Sequence, residues 1–320
     1  MTSEDGPRQR LSITETYDAF ARGVAGTVTG CDVVRATGRD ALSYLQSQCT
    51  QDLASLAVGS SAESLLLSPQ GKIDAYVRVA RPGAEEALVV VAAGYGEVVV
   101  ARLKRFRLRV QVELEQLDWQ CVQLRGPGAA ELAEERAPDT VALAASWPGA
   151  TGVDLVGAGA RLPASVAEGD PAAFEALRIE SGQPALGTEI TERSIAHEVG
   201  ITERTVSFTK GCFPGQELVA RIDARGANVP RRLRGVVVAA EEVVRLPAEL
   251  RLDGRTVGEL TSVAWSPRLA ASVGLASVRR EVVPPAMLTL VPLEPGAPSP
   301  DASWSGGYPA EVRDLPITGG

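Results

Sequence analysis

Residues 209–228 read TKGCFPGQELVARIDARGAN, a loop, a helix start and a helix stop in one stretch. Pro214 biases Phe213 toward extended backbone. Gly215 can open a helix, QELVARIDAR, with Leu218 and Ile222 four residues apart on one face and Gly226 after its end. Cys212 falls just before the helix N-terminus. Backbone N–H groups and the dipole there favour an anion, and Lys210 adds positive charge. A flanking glycine leaves the sulfur approachable. That is the setting of an activated thiol. The same cysteine also reads as a small, buried, inert residue, the commoner use of a free cysteine. His197, the one histidine, is a candidate base for it or an ordinary surface or core histidine.

The 320 residues exceed what one core usually serves, so two or three domains are expected. Hydrophobic residues at 45% and charged residues at 22% fit a soluble globular chain. With aromatics at 4%, Ala, Val and Leu must build the core. A net charge of −8 argues against nucleic-acid binding through global electrostatics. Four cysteines (Cys31, Cys49, Cys121, Cys212) without a CxxC do not make a disulfide scaffold, and no metal site is expected. The polar N-terminus lacks the apolar core of a secretory signal, and no apolar run is long enough for a membrane span. A cytoplasmic protein is expected.

Outward from the opening stretch, Asp32 to Arg35 reads as a strand, followed by a helix over 39–48. Strands follow on either side of the Pro69-Gln70-Gly71 turn and over 87–92. The spacing of Val99, Leu103 and Phe106 predicts a helix, and residues 109–116 and 118–126 read as strands. Residues 128–136 form a short helix. Asp170-Pro171 marks another helix start, with Phe174 and Leu177 on its apolar face and Gly182 just past its end. Residues 233–292 hold short strands at regular spacing with a hairpin signal at Asp253-Gly254, which predicts a small β-barrel. Motifs of P-loop NTPases, Rossmann enzymes, zinc proteases and α/β-hydrolases are absent.

KGCFPGQELVAR followed by RGAN resembles the signature of the YgfZ family. GRDALSYLQSQCTQDL, SPQGKI, RIESGQPALGTEI and VGELTSVAWSP are similar to blocks shared by YgfZ and its relative GcvT, the aminomethyltransferase of glycine cleavage. The resemblance implies an α+β, three-domain GcvT/YgfZ-like fold around a central folate channel, ending in a small antiparallel β-barrel. The expected boundaries are an N-terminal α+β domain (16–115), a second α+β domain with the signature loop (116–230) and the barrel (231–294); before them residues 1–15 read as a flexible arm, and after them the Pro/Gly/Ser-rich stretch 295–320 reads as a disordered tail. The first two domains are left free to exchange segments.

The resemblance also implies a tetrahydrofolate-binding protein that assists assembly or repair of iron–sulfur clusters, with Cys212 as the essential thiol and Lys210 beside it. Tetrahydrofolate or a one-carbon derivative would be the cofactor. Iron–sulfur client enzymes or assembly factors would be transient partners, with no nucleic acid and no membrane. Glu180 and Arg178 of the R-x-E-x-G-x-P block, Arg231 or Arg232, and Gln216 are the implied folate contacts; Trp265 could pack against the folate ring system or serve as a barrel-core or rim aromatic. An acid in the last turn of a helix opposes the dipole, which gives Glu180 an independent reason for notice. Arg102, Lys104, Arg105, Arg107 and Arg109 could meet folate carboxylates or form a solvated face. Where GcvT carries two acids, this chain has Ala75 and Tyr76, and Asp74 is one residue early, which weighs against aminomethyl transfer. A GcvT-type one-carbon transferase and a non-catalytic folate scaffold are the alternatives.

Overall fold

The computed structural model describes residues 8–240, 242–293 and 307–317. The first element is α1 (Ile13–Arg22), whose first residues fall within the expected flexible arm (1–15). Ser12 Oγ accepts from the Glu15 amide while the Glu15 carboxylate accepts from the Ser12 amide at 2.8 Å, a reciprocal cap that starts the helix there. The arm expectation is thus corrected from Ser12 onward; residues 1–7 lie outside the described part.

The chain continues through β1 (Ala25–Thr29), β2 (Cys31–Thr37), α2 (Ala41–Gln48), β3 (Ser61–Leu67), β4 (Ile73–Ala80), β5 (Glu86–Ala92), α3 (Gly96–Arg105) and β6 (Glu113–Leu117). Strands 3-4-5-2-6, in that order, form the first sheet. From Ala75 onward β4 alternates. Ala75, Val77 and Val79 enter the core under α2 and α3, while Tyr76 and Arg78 lie on the other face; the register shift at Asp74 breaks the alternation before them. Leu45 of α2 and Leu103 of α3 are fully buried in that core, each worth about 1.5–3 kcal/mol of apolar transfer. The strand expected from residue 109 begins only at Glu113, because Arg109 adopts a left-handed conformation, φ 55°.

Next come β7 (Gln120–Arg125), α4 (Ala129–Leu132), β8 (Thr140–Ala144), β9 (Gly152–Gly157), β10 (Ala167–Glu168) and α5 (Pro171–Glu180). The second sheet has the order 10-1-7-9-8, so β1, early in the chain, pairs with β7. Only Gly30 separates β1 from β2, and there the chain steps from one sheet to the other. Val33, Leu88, Leu143 and Val156 pack between the two sheets. Asp170 caps α5 by accepting from the Ala172 amide at 2.8 Å.

After α6 (Thr202–Thr205) and α7 (Gln216–Asp223), the chain enters a closed antiparallel barrel of β11 (Arg231–Val238), β12 (Ala248–Leu252), β13 (Arg255–Ser266), β14 (Ala271–Arg279), β15 (Ala286–Pro292) and β16 (Tyr308–Arg313). The strand β16 falls in the stretch read as a disordered tail, and that reading is corrected. Ala310 and Val312 are buried at alternate positions, and β16 bridges β11 and β15. Beyond it Ile317 is buried against α5 and its amide donates to the Glu180 carbonyl at 2.7 Å. The Pro/Gly/Ser-rich run that motivated the disorder reading, residues 294–306, and residues 318–320 lie outside the described part.

Candidate functional site

A cavity of about 330 Å³ opens between the two sheets. Its polar wall is built by alternation. Tyr76 and Arg78 of β4 and Glu63 of β3 come from the first sheet, and Asp154 of β9 from the second. Tyr76 donates to Glu63 Oε1, and the Gln183 amide donates to the Tyr76 hydroxyl at 3.0 Å. Gln183 Oε1 is buried without a partner, so one acceptor faces this region unmet. Arg78 donates to Asp154 at 3.0 Å and to Ser146 at 2.8 Å. Arg125, fully buried, donates to the other Asp154 oxygen at 2.7 Å and stacks over Trp147, 4.3 Å from its ring centre. Burial pushes the Glu63 carboxyl above its ordinary range, against the pull of Arg204 and Arg78.

Of the residues singled out from sequence, Arg178 lines this cavity. Its guanidinium is committed to Glu175 at 2.7 Å, Glu189 at 3.2 Å, Ser262 at 2.8 Å and the Gln183 carbonyl. These bonds hold the Gln183 segment in the wall. Glu180, two residues on, does not line the cavity. It is fully buried, accepts from Ser266 and Arg268, and borders a separate cavity of about 280 Å³ with Tyr17, Leu177 and Arg268. Burial raises its carboxyl, opposed by Ser266 and Arg268. Its placement at the end of α5 is explained by that cross-domain pairing.

Cys212 is exposed. The neighbouring Phe213 is 7% exposed and packs with Leu67, Ile73 and Val219. Gly215 is left-handed, φ 79°, and an added Cβ would lie 2.5 Å from the Ser68 carbonyl and 2.9 Å from Gly71 Cα. The signature loop is therefore seated on the β3–β4 turn, glycine against glycine, with the thiol left outside. Lys210 is not directed at Cys212. Its ammonium donates to the carbonyls of Gln46 (2.5 Å), Cys49 (2.6 Å) and Gln51 (3.0 Å), closing the C-terminal end of α2. Burial lowers the Lys210 pKa. His197 approaches Asp223, 3.9 Å away, at the far end of α7 from Cys212, so it is not the base of that thiol.

Cys212, Gln216, Arg231, Arg232 and Trp265 all lie off the cavity wall. Gln216 opens α7, half-buried. Arg231 donates to the Ser277 carbonyl at 3.3 Å and Arg232 to the Ala227 carbonyl at 2.8 Å. Trp265 sits half-buried on β13 opposite Ser272. Arg102 turns inward to Asp74, Gln48 and the Leu67 carbonyl, which removes Asp74 from the cavity as well. Sequence reasoning missed Glu63, Arg78, Trp147 and Asp154. The available signal was an acid in β3 paired across the strand with an arginine in β4, Glu63 with Arg78.

Among the described residues, no group of three or more acids, histidines or cysteines is arranged to hold a metal ion. No described helix is long and apolar enough to cross a membrane. Residues 27–164 match the model of the GCVT N-terminal domain, and residues 231–294 match that of the glycine cleavage T-protein C-terminal barrel domain. A Haemophilus influenzae protein described as uncharacterized is 26% identical over 242 residues, covering 74% of this chain and 82% of that protein. The crystal structure of glycine cleavage system aminomethyltransferase T from Bartonella henselae is similar with a TM-score of 0.81 and 18% identity, covering 96% of this chain and 90% of that one. The two matched domains together span more than half of the sequence, and they place the chain in the GcvT superfamily.

Proposed function

We propose that this protein binds tetrahydrofolate, or a one-carbon derivative of it, in the cavity between the sheets, and assists assembly or repair of iron–sulfur clusters in cytoplasmic client enzymes through Cys212. The observation that carries the reading is the presentation of the thiol. Phe213 is buried, Gly215 is clamped on Gly71, Lys210 is fixed to α2, and the sulfur between them is exposed. A loop this firmly seated holds one reactive group outward. The resemblance of the loop to the YgfZ signature supports the same role.

The cavity fits the cofactor's chemistry. A pterin edge offers N–H donors, and the wall offers the Glu63 carboxylate and the unmet Gln183 Oε1 as acceptors. Tyr76 and Trp147 supply flat apolar faces beside them. Folate would supply one-carbon or redox chemistry when bound; the residues named here bind and orient it. Cys212 alone cannot hold a cluster that needs four ligands, so it acts with groups from a client or an assembly factor.

In cells lacking the native copy, Cys212→Ala is expected to leave iron–sulfur enzyme activities low while the wild-type gene restores them. Full restoration by Cys212→Ala would remove the thiol from the function.

A second reading, one-carbon transfer, draws on Glu63. The positions of the two acids in GcvT are Ala75 and Tyr76 here, yet Glu63 brings a carboxylate onto the Tyr76 hydroxyl. Release of formaldehyde or methylene-tetrahydrofolate by purified protein would favour that reading.

A further inference from the structure

Two cysteines outside the signature lie at the step between the sheets. Cys31 is the first residue of β2, opposite Ala92 in the first sheet. Cys121 is on β7 in the second sheet, opposite Thr29 of β1, two residues before Cys31. Both line the central cavity. Cys31 packs on the cluster that contains Cys121, Val33, Leu88, Leu143 and Val156. The two side chains neighbour each other in that cluster. Cys31 is half-buried with access through the cavity, whereas Cys121, on the same wall, is buried. Each is a free thiol.

We propose that Cys31 and Cys121 form a redox-active dithiol that hydroperoxides oxidise to a disulfide, stapling the two sheets at the cavity wall. Access supports the assignment: Cys31 is half-buried and opens to the cavity, whereas Cys121 is buried, so Cys31 is the attacking sulfur and Cys121 the resolving one. The neighbouring Cys121 thiol also lowers the Cys31 pKa, against burial and the Asp32 and Asp154 charges, while Cys121 itself is raised by Cys31 and burial. The Cys31 thiolate attacks one peroxide oxygen, the O–O bond breaks, and the leaving oxygen departs as alcohol or water after taking up a proton. Cys31 is left as a sulfenic acid. The Cys121 sulfur then attacks the Cys31 sulfur, the S–O bond breaks, and the oxygen leaves as water with the Cys121 proton. In sum, two thiols and one hydroperoxide give one disulfide, one alcohol or water and one water. A dithiol reductant reverses the bond. If the pair served only as small core residues, no such bond would form.

The test uses the full chain and its Cys212→Ser variant, reduced, freed of reductant and treated with graded hydrogen peroxide. Free thiols are blocked with N-ethylmaleimide under denaturing conditions, and tryptic peptides are mapped without reduction. The expected product joins residues 23–35 to residues 110–125, lacks two hydrogens, and returns to free thiols with dithiothreitol. In Cys121→Ser, Cys31 is expected to stop at a sulfenic acid trapped by dimedone. The proposal is overturned if Cys31 and Cys121 are both recovered as maleimide adducts at a dose that fully oxidises Cys212. It is overturned equally if Cys31 pairs with Cys212 in place of Cys121.

Discussion

Replacing Glu63 by glutamine tests whether folate binds between the sheets. The Glu63 side chain is 10% exposed, so a bond from a pterin N–H to its carboxylate forms with little competing water. A hydrogen bond to a charged group is worth about 1.5–3 kcal/mol. Glutamine keeps one acceptor oxygen, so the net loss falls toward the lower half of that range, about 1.5–2 kcal/mol. At ~1.4 kcal/mol per tenfold, binding should weaken roughly 10- to 30-fold. Glu180→Gln is the matched control. It also neutralises a buried carboxylate, but one bonded to Ser266 and Arg268 away from the cavity, and it should change affinity by less than about threefold, well under 1 kcal/mol. Isothermal titration with 5-formyltetrahydrofolate, which resists air oxidation, reads both variants, with thermal melts to show that each is folded. Unchanged binding in Glu63→Gln, or a tenfold loss in a normally folded Glu180→Gln, would refute the assignment of the site to this cavity.

Lys210→Met should lower stability by about 1.5–3 kcal/mol, since three carbonyls at the end of α2 lose a charged donor; urea midpoints measure it, and an unchanged midpoint would mean that water replaces the ammonium without loss. The Glu180 carboxyl is raised by burial, so its contribution to stability is fully present below the unfolded carboxylate range, near ~4.3, and is lost as pH rises through the folded value. Urea midpoints of wild type and Glu180→Gln taken across that window should show the wild type losing ground to the variant as pH rises; a constant offset would contradict the raised value. Ending the chain after residue 306 removes β16, exposes the edges of β11 and β15, and should yield aggregated protein by size-exclusion chromatography. A monomeric, folded truncation would show that the barrel closes without that strand.

How much was legible in the sequence depends on how far apart the interacting residues lie. The helix from Pro171 and the barrel strands up to β15 are local patterns, and alternation or a capping acid reveals them without any partner. The strand β16 was lost because the Pro/Gly/Ser-rich run before it dominates the composition of the tail, although Ala310 and Val312 carry the alternation. Lys210 was assigned to Cys212 because the two are neighbours in sequence; its ammonium instead crosses to α2, which sequence distance hides. Glu180 drew notice as an acid against a helix dipole, and the groups that pair with it, Ser266 at the end of β13 and Arg268 just after it, lie in the barrel.

The central cavity was the least legible part for the same reason. Glu63, Tyr76, Asp154 and Gln183 come from two sheets and a loop, and no spacing rule joins them until the sheets stack. The signature loop was legible as a motif, but its physical content is a contact between motifs. Gly71 ends the SPQG turn and Gly215 opens α7, and a Cβ on either would collide with the other's segment, 2.7 Å from Leu218 Cβ in the first case and 2.5 Å from the Ser68 carbonyl in the second. Both blocks therefore have to carry glycine for the loop to seat. If the loop did not seat, Phe213 would leave its cluster and Cys212 would lie on a mobile segment instead of a fixed one. Recurrence of the two blocks together in a sequence is thus a statement about geometry: a turn in the first sheet is the platform that fixes where the thiol points.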